Sequence, residues 1–170
     1  MRILFTIDTK DYNIKGTVFE RPSARGIIIK DNKVAMVHST KYNYYKFPGG
    51  GIEKEELKEE ALIREVREET GLEVISSKIR EYGMVHRIQK GDYEDVFIQD
   101  NYYYLCNVKD IVNMQKLDDY EKDEGFTLEW ISPEKAMKVN SENKLEMVDK
   151  IMLEREVRVI EMLIREGYLS

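Results

Sequence analysis

Residues 56–70, ELKEEALIREVREET, contain no glycine or proline and consist largely of Glu, Leu, Ala, Lys and Arg, the strongest helix formers. The stretch predicts a helix, and Gly71 supplies its stop. It follows YNYYKFPGGG (42–51), where aromatics precede Pro48 and three glycines, so a short strand is expected to run into a loop free to adopt backbone conformations closed to other residues. Strand signals lie on both sides of the helix. Residues 2–7 and 17–19 read as short strands, and 24–30 with 33–39 as a hairpin closed by Asp31-Asn32. The β-branched and aromatic residues of 72–88 and 95–108 predict long strands, and FTLEWI (126–131) predicts another. DDYEKDEG (118–125) reads as an acidic loop, and Ser132-Pro133 opens a short helix with proline at its first position. From about Ser141 to Glu166 an amphipathic helix is expected, with Val148, Met152, Val159 and Leu163 along one stripe and Gly167 after it.

The predicted helix has an unusual distribution of charge. Glu65, Glu68 and Glu69 stand at i, i+3 and i+4, within about 100° of one another on a 3.6-residue wheel. Leu62, Ile63 and Val66 occupy a separate arc that can enter a core. Glu65 therefore meets like charges at both i+3 and i+4, each contact costing a few tenths of a kcal/mol in an isolated helix. A solvated face usually mixes the two signs. Arg64, four residues after Glu60 and four before Glu68, compensates only part of the cluster. A hard divalent cation can compensate the rest, because Mg²⁺ and Mn²⁺ take carboxylate and water oxygens and share their remaining positions with substrate phosphates.

The bulk properties limit the partners such a site can have. A net charge of −6 and a pI near 5.2 argue against binding a nucleic-acid polymer, which needs a basic face. A phosphorylated small molecule is still admissible if a cation stands between the two negative partners. No apolar run reaches the roughly 20 residues of a membrane helix, and MRILFTIDTK lacks the long apolar stretch of a secretory signal. Cys106 is the sole cysteine, so no internal disulfide can form, and a reducing, cytoplasmic setting is expected. The 170 residues suit one domain, and no repeat or linker divides them.

From Gly50 the chain reads GGIEKEELKEEALIREVREETGL: a glycine, five residues to Glu56, seven to Arg64-Glu65-Val66, then Glu68-Glu69 and Gly71-Leu72. This array resembles the signature of the Nudix (MutT-like) hydrolases, with every fixed position filled. Glu55 stands where many relatives carry glycine, a position the pattern leaves free. The resemblance implies an α/β/α sandwich in which a loop–helix–loop lies against a mixed sheet. It covers 50–72 closely and the order of elements from about 24 to 138 more loosely. Within a single domain spanning 1–170, the strands of 1–22 and the helix at about 141–166 are then additions.

The resemblance further implies metal-dependent hydrolysis, assisted by Mg²⁺ or Mn²⁺, of a nucleoside diphosphate linked to another moiety. By the same resemblance Glu68 and Glu69 are central metal ligands, and Glu65 is a third ligand or the base that deprotonates water. Arg64 orients the cluster through an ion pair. Glu56 is a peripheral ligand or a structural partner of the loop, and the carbonyl of Gly49 completes the coordination. Some MutT-like relatives place another ligand or base in the loop before the last strand. Glu124 is the candidate here, with Glu121 and Asp123 as neighbours able to substitute.

Of the family's substrates, a MutT-like nucleoside triphosphate is favoured, partly on EGFTLEW, with nucleotide sugars and dinucleoside polyphosphates left open. The alternative is a Nudix-fold module that senses a nucleotide without turnover, although such modules usually lose the glutamates retained here. The C-terminal stripe fits either the core or a homodimer seam. His38 and His86 are expected to pack or face solvent, and Cys106 to be buried. Tyr42, Tyr44, Tyr45 and Tyr102–Tyr104 suit packing across a sheet better than base stacking. Asn140 and Asn143 suit a helix cap better than base reading.

Overall fold

Asp31 and Asn32 have φ of 51° and 56° in the computed structural model, which describes all 170 residues. This is the left-handed pair that closes a two-residue hairpin. The hairpin joins β4 (Ile29–Lys30) to β5 (Lys33–Ser39), with Ile29 opposite Val34. The expected strand over 24–30 is thus divided at Ile28. Its first part, β3 (Ser23–Ile27), lies in another sheet.

That main sheet also contains β1 (Ile3–Asp8), β2 (Val18–Glu20), β7 (Gly49–Gly51), β9 (Arg80–Gln89) and β10 (Val96–Leu105). Its order is β1-β9-β10-β3-β7, with β2 beside the start of β10. It is mixed: β9 and β10 are antiparallel, whereas β1 runs parallel to β9 and β3 parallel to β10. The second sheet pairs β5 with β4, with β6 (Tyr44–Lys46) and with β12 (Phe126–Ile131).

Two helices cover opposite sides of this framework. α1 (Lys58–Thr70) sets Ala61, Leu62 and Val66 against Ala24, Ile28, Ala35 and Tyr104. On the other side α4 (Lys150–Arg165) sets Val159, Ile160 and Leu163 against Ile27, Met36, Phe47 and Tyr103. Neighbours such as Ile27 and Ile28, or Tyr103 and Tyr104, serve opposite cores because side chains alternate along a strand. The result is the expected α/β/α sandwich with a mixed sheet. The apolar stripe of α4 is used inside the chain itself.

Several expected boundaries move, each for a local reason. The helix begins at Lys58, not at 56. The strand expected over 72–88 is broken by a 3₁₀ turn at Ser76–Lys78, because β8 (Leu72–Val74) leaves the main sheet to pair with β11 (Val108–Val112). The acidic loop contains α2 (Asp119–Asp123), whose start is fixed by the Asp118 N–H donating to the Glu121 carboxylate at 2.8 Å. The expected helix over 141–166 becomes the end of α3 (Pro133–Glu142), a connection over 143–149, and α4. Asp149 fixes that last start by accepting from the N–H groups of Ile151 and Met152. Val148 therefore lies ahead of the helix, though still buried.

Gly71 ends α1 with φ of 77° and donates its N–H to the Arg67 carbonyl at 2.8 Å. A Cβ there would collide with the Asn113 carbonyl, which packs against it. Gly71→Ala is expected to cost at least about 1–2 kcal/mol from the left-handed backbone alone. A shift in the urea midpoint at unchanged slope would report it.

Candidate active site

α1 is positioned by its apolar face, and that placement delivers its carboxylates to two different environments. Glu69, on the inner side, is 1% exposed and ion-paired with Lys46 Nζ at 2.5 Å. Its other oxygen accepts the Gly49 N–H at 2.9 Å. Burial pushes its carboxyl up to about 7, against the opposing pull of Lys46. Glu65 is partly buried with its carboxylate packed against Gly50, where a Cβ on the loop would make that carboxylate shift. Burial raises the Glu65 carboxyl as well, with Arg64 acting in the opposite direction.

Arg64 stands at the centre of the cluster. Its Nε and Nη2 hold Glu56 at 2.7 and 2.9 Å, its Nη1 reaches Glu65 at 2.6 Å and Glu68 at 3.3 Å, and Nη2 also donates to the Gly51 carbonyl at 3.1 Å. The fork keeps Glu56 below the usual carboxylate range, while the glutamates raise the Arg64 guanidinium further. Glu65 and Glu68 open into a cleft of about 460 Å³ that Arg64, Arg21, Lys116 and Asp118 also line. Carboxylates and cations thus face one another across a single space.

The predicted residues do not all meet there. Glu69 is turned away toward Lys46 and Gly49, and Glu56 serves Arg64 and the Glu53 N–H. Glu124 lies apart from the cleft, accepting from the Tyr44 hydroxyl at 2.6 Å and the Ser39 hydroxyl at 3.3 Å. Its neighbour Glu121 is 5% exposed and close enough for its charge to help raise Glu69. Asp123 pairs with Lys41 at 2.7 Å.

Lys46, Arg21, Lys116 and Asp118 escaped the sequence reading. Lys46 alone carried a signal, as the one basic residue in the strand immediately before FPGG. Asn140 neither caps a helix nor reads a base, because its amide exchanges two 2.8 Å bonds with the backbone of Tyr45. His38 stacks on Tyr45, His86 pairs with Asp100 at 2.6 Å, and Cys106 is buried.

No three acidic, histidine or cysteine side chains form a ready cage for a cation, since Arg64 and Lys46 stand among the glutamates. The donor chemistry nevertheless fits Mg²⁺ or Mn²⁺. Glu65 and Glu68 offer hard oxygens to an open cleft wide enough for water ligands and phosphate. Glu69 would join them only by exchanging Lys46 for the cation.

A mixed sheet between two helices, with a glycine loop and a glutamate helix at its edge, is the architecture of a Nudix domain. The chain belongs to that family: the family model described as the NUDIX domain matches residues 20–153. A Bacillus subtilis protein, YtkD, provisionally named an 8-oxo-dGTP diphosphatase, is 36% identical over 85 residues, 49% of this chain and 47% of the relative. A Methanocaldococcus jannaschii ADP-ribose pyrophosphatase is 49% identical over 51 residues, 28% of this chain and 30% of that protein. The matched stretches span less than half the length of these curated relatives. Among solved structures, the E. coli ORF135 protein superposes with a TM-score of 0.58 at 21% identity, over 90% of this chain and 96% of that one. The MutT protein from Bacillus halodurans gives 0.56 at 19% identity, over 79% and 80%. At these identities the two structures bear on the fold alone. No helix is long and apolar enough to cross a membrane.

Proposed function

We propose that the chain is a metal-dependent pyrophosphohydrolase that cleaves a nucleoside triphosphate to the monophosphate and pyrophosphate. The observation that carries this reading is the cleft itself, where Glu65 and Glu68 face Arg21, Arg64 and Lys116. Cationic side chains suit the phosphate oxygens, and carboxylates suit a divalent cation and a water. The two curated relatives are named for 8-oxo-dGTP and for ADP-ribose, both phosphoanhydrides of nucleosides. The first belongs to the substrate class favoured from the sequence.

In this proposal Glu68 holds the cation, with Glu69 as a further ligand once Lys46 releases it. When bound, the cation would supply charge neutralisation at the phosphates. Arg21 and Lys116 bind the phosphate chain, and Arg64 keeps Glu65 and Glu68 aimed into the cleft. Water attacks a phosphorus of the α–β bridge, its proton passes to a carboxylate, and the bridging oxygen stays with the phosphoryl group that is not attacked, which gives the monophosphate and pyrophosphate. Glu65 is the assigned base, because one of its oxygens is held by Arg64 at 2.6 Å while its side chain lines the cleft in which water and phosphate would meet. Glu124, held by Tyr44 and Ser39, orders the loop beside the site.

The test is product-resolved hydrolysis of canonical and oxidised nucleoside triphosphates, ADP-ribose, nucleotide sugars and dinucleoside polyphosphates, with Mg²⁺, with Mn²⁺ and with chelator. Metal-dependent release of pyrophosphate from a triphosphate is the expected result. Cleavage confined to ADP-ribose would overturn the substrate class. Nucleotide binding without cleavage of any compound would replace the enzyme by a sensor.

A further inference from the structure

The face of the main sheet covered by α4 is only half covered. Toward its far end Asn101 and Tyr103 of β10 lie beneath α4, and two and four residues earlier on the same face come Gln99 and Phe97. Those two line a separate cavity of about 810 Å³, between the 91–94 turn and the 146–149 segment before α4. The volume falls within the ~300–1,000 Å³ typical of small-molecule sites. Arg21 lines both this cavity and the glutamate cleft, so the two spaces adjoin across one side chain.

The cavity has an aromatic wall and a polar end. Phe19 of β2 and Phe97 are register partners in adjacent strands, with ring centroids 5.9 Å apart and ring planes tilted by 39°, and give the cavity that wall, with the Arg87 guanidinium 5.6 Å from the centre of the Phe97 ring. Beside them Gln99 is 9% exposed, and its carbonyl oxygen accepts from Arg155 Nη1 at 3.2 Å. Arg155 is 1% exposed and fixed by Asn101 at 2.8 Å and Glu156 at 2.7 Å. A guanidinium has donors only, so the Gln99 amide has one allowed orientation, oxygen toward Arg155 and nitrogen away. Gln99 Nε2 makes no hydrogen bond within the protein and is not among the enclosed unpartnered atoms, so it opens to the cavity.

The neighbouring groups leave the same polarity. Arg87, opposite Gln99 in the sheet, uses Nε on Gln89 and Nη2 on Asp149, which leaves Nη1 free. Asp149 is occupied by Arg87 and by the first N–H groups of α4. The inner end of the cavity therefore offers donors. The carboxylates of Asp92, Glu94 and Glu146 stand around it and disfavour an anion.

We propose that this cavity seats the nucleobase and that Gln99, held in one orientation by Arg155, reads a ring carbonyl, selecting 6-keto purines over 6-amino purines. This rests on the proposed nucleotide reading and deepens it. The base packs against the aromatic wall of Phe19 and Phe97, its keto oxygen accepts from Gln99 Nε2, and the phosphates run past Arg21 into the cleft. An adenine amino group at that place would set donor against donor and leave both unpaired. Gln99 contacts the base, and Arg155 is a positioning residue.

The experiment has two arms. GMP and AMP binding is measured by titration calorimetry in chelator, and kcat/KM for GTP and ATP is measured with Mg²⁺. Wild type is expected to favour the guanine nucleotide in both arms. Gln99→Met, which removes the donor, and Gln99→Glu, which turns it into an acceptor, are each expected to reduce that preference about tenfold or more, chiefly through KM. Arg155→Met frees the amide to turn and should erode the same ratio. If that variant does not fold, the two Gln99 variants decide. Equal use of GTP and ATP by wild type, or an unchanged ratio in the Gln99 variants, would overturn the assignment while leaving the hydrolase reading intact. Selective GMP binding with no triphosphate cleavage would do the reverse.

Discussion

Glu68→Gln is expected to reduce turnover by on the order of 10²- to 10³-fold, the scale on which losing one preorganised electrostatic group slows comparable reactions. The fold should survive. The Glu68 side chain is one-third exposed, and its one polar side-chain contact is Arg64 Nη1 at 3.3 Å, an exchange normally worth under about 1 kcal/mol. Glutamine keeps the shape of the side chain and removes the charge that a cation would need. Unfolding curves matching wild type alongside lost pyrophosphate release would place the effect in chemistry. Wild-type rates at limiting Mg²⁺ would remove Glu68 from the metal assignment.

Lys46→Met should act in the opposite way, on the folded state. Glu69 is buried, and Lys46 supplies its only ion pair, so a variant without the ammonium keeps a buried carboxylate whose sole remaining side-chain partner is the Gly49 N–H. Breaking one side of a buried pair typically costs about 3–5 kcal/mol where the remaining partner is charged. The loss should grow with pH. The Glu69 carboxyl is at about 7 in the folded protein, above its ordinary 4.5, so the folded state holds a proton longer than the unfolded one. Stability from this group is therefore complete below about 4.5 and declines as pH rises toward 7. Removing Lys46 raises the carboxyl further and carries that decline beyond 7. Urea unfolding in chelator at pH 5 and pH 8 should show a larger deficit for the variant at pH 8. An equal deficit at both would mean that Glu69 does not titrate in this range.

The two variants probe parts of the site that differ in how far the sequence could reveal them. The glutamate face of α1 followed from helical spacing within five residues, and Gly71 marked the end of the helix. The ion pair between Lys46 and Glu69 spans 23 residues and depends on how β6 meets α1, which no local period encodes. Glu124 shows the same limit. The resemblance to MutT-like proteins made it a candidate partner of the glutamates, but Tyr44 and Ser39 hold its carboxylate, and it is the charge of the buried Glu121 that bears on Glu69. Secondary structure failed where two local signals competed. The apolar stripe suggested a helix from Ser141, whereas the cap at Asp149 set the actual start. Likewise the β-rich run over 72–88 gave no hint that its first three residues would choose β11 as a partner. Gln99 had no sequence signal, since its direction is imposed by an arginine 56 positions away.

The side chain shared by the two cavities has a practical consequence for inhibitor chemistry. Fragments can be sought independently in each compartment, a flat heterocycle against Phe19 and Phe97 and an anion near Lys116, then joined by a short tether passing Arg21. The affinity of such a linked compound would depend on tether length, being greatest when the span between compartments is matched and falling away on either side. A series of tethers would thus measure the separation of the compartments in solution.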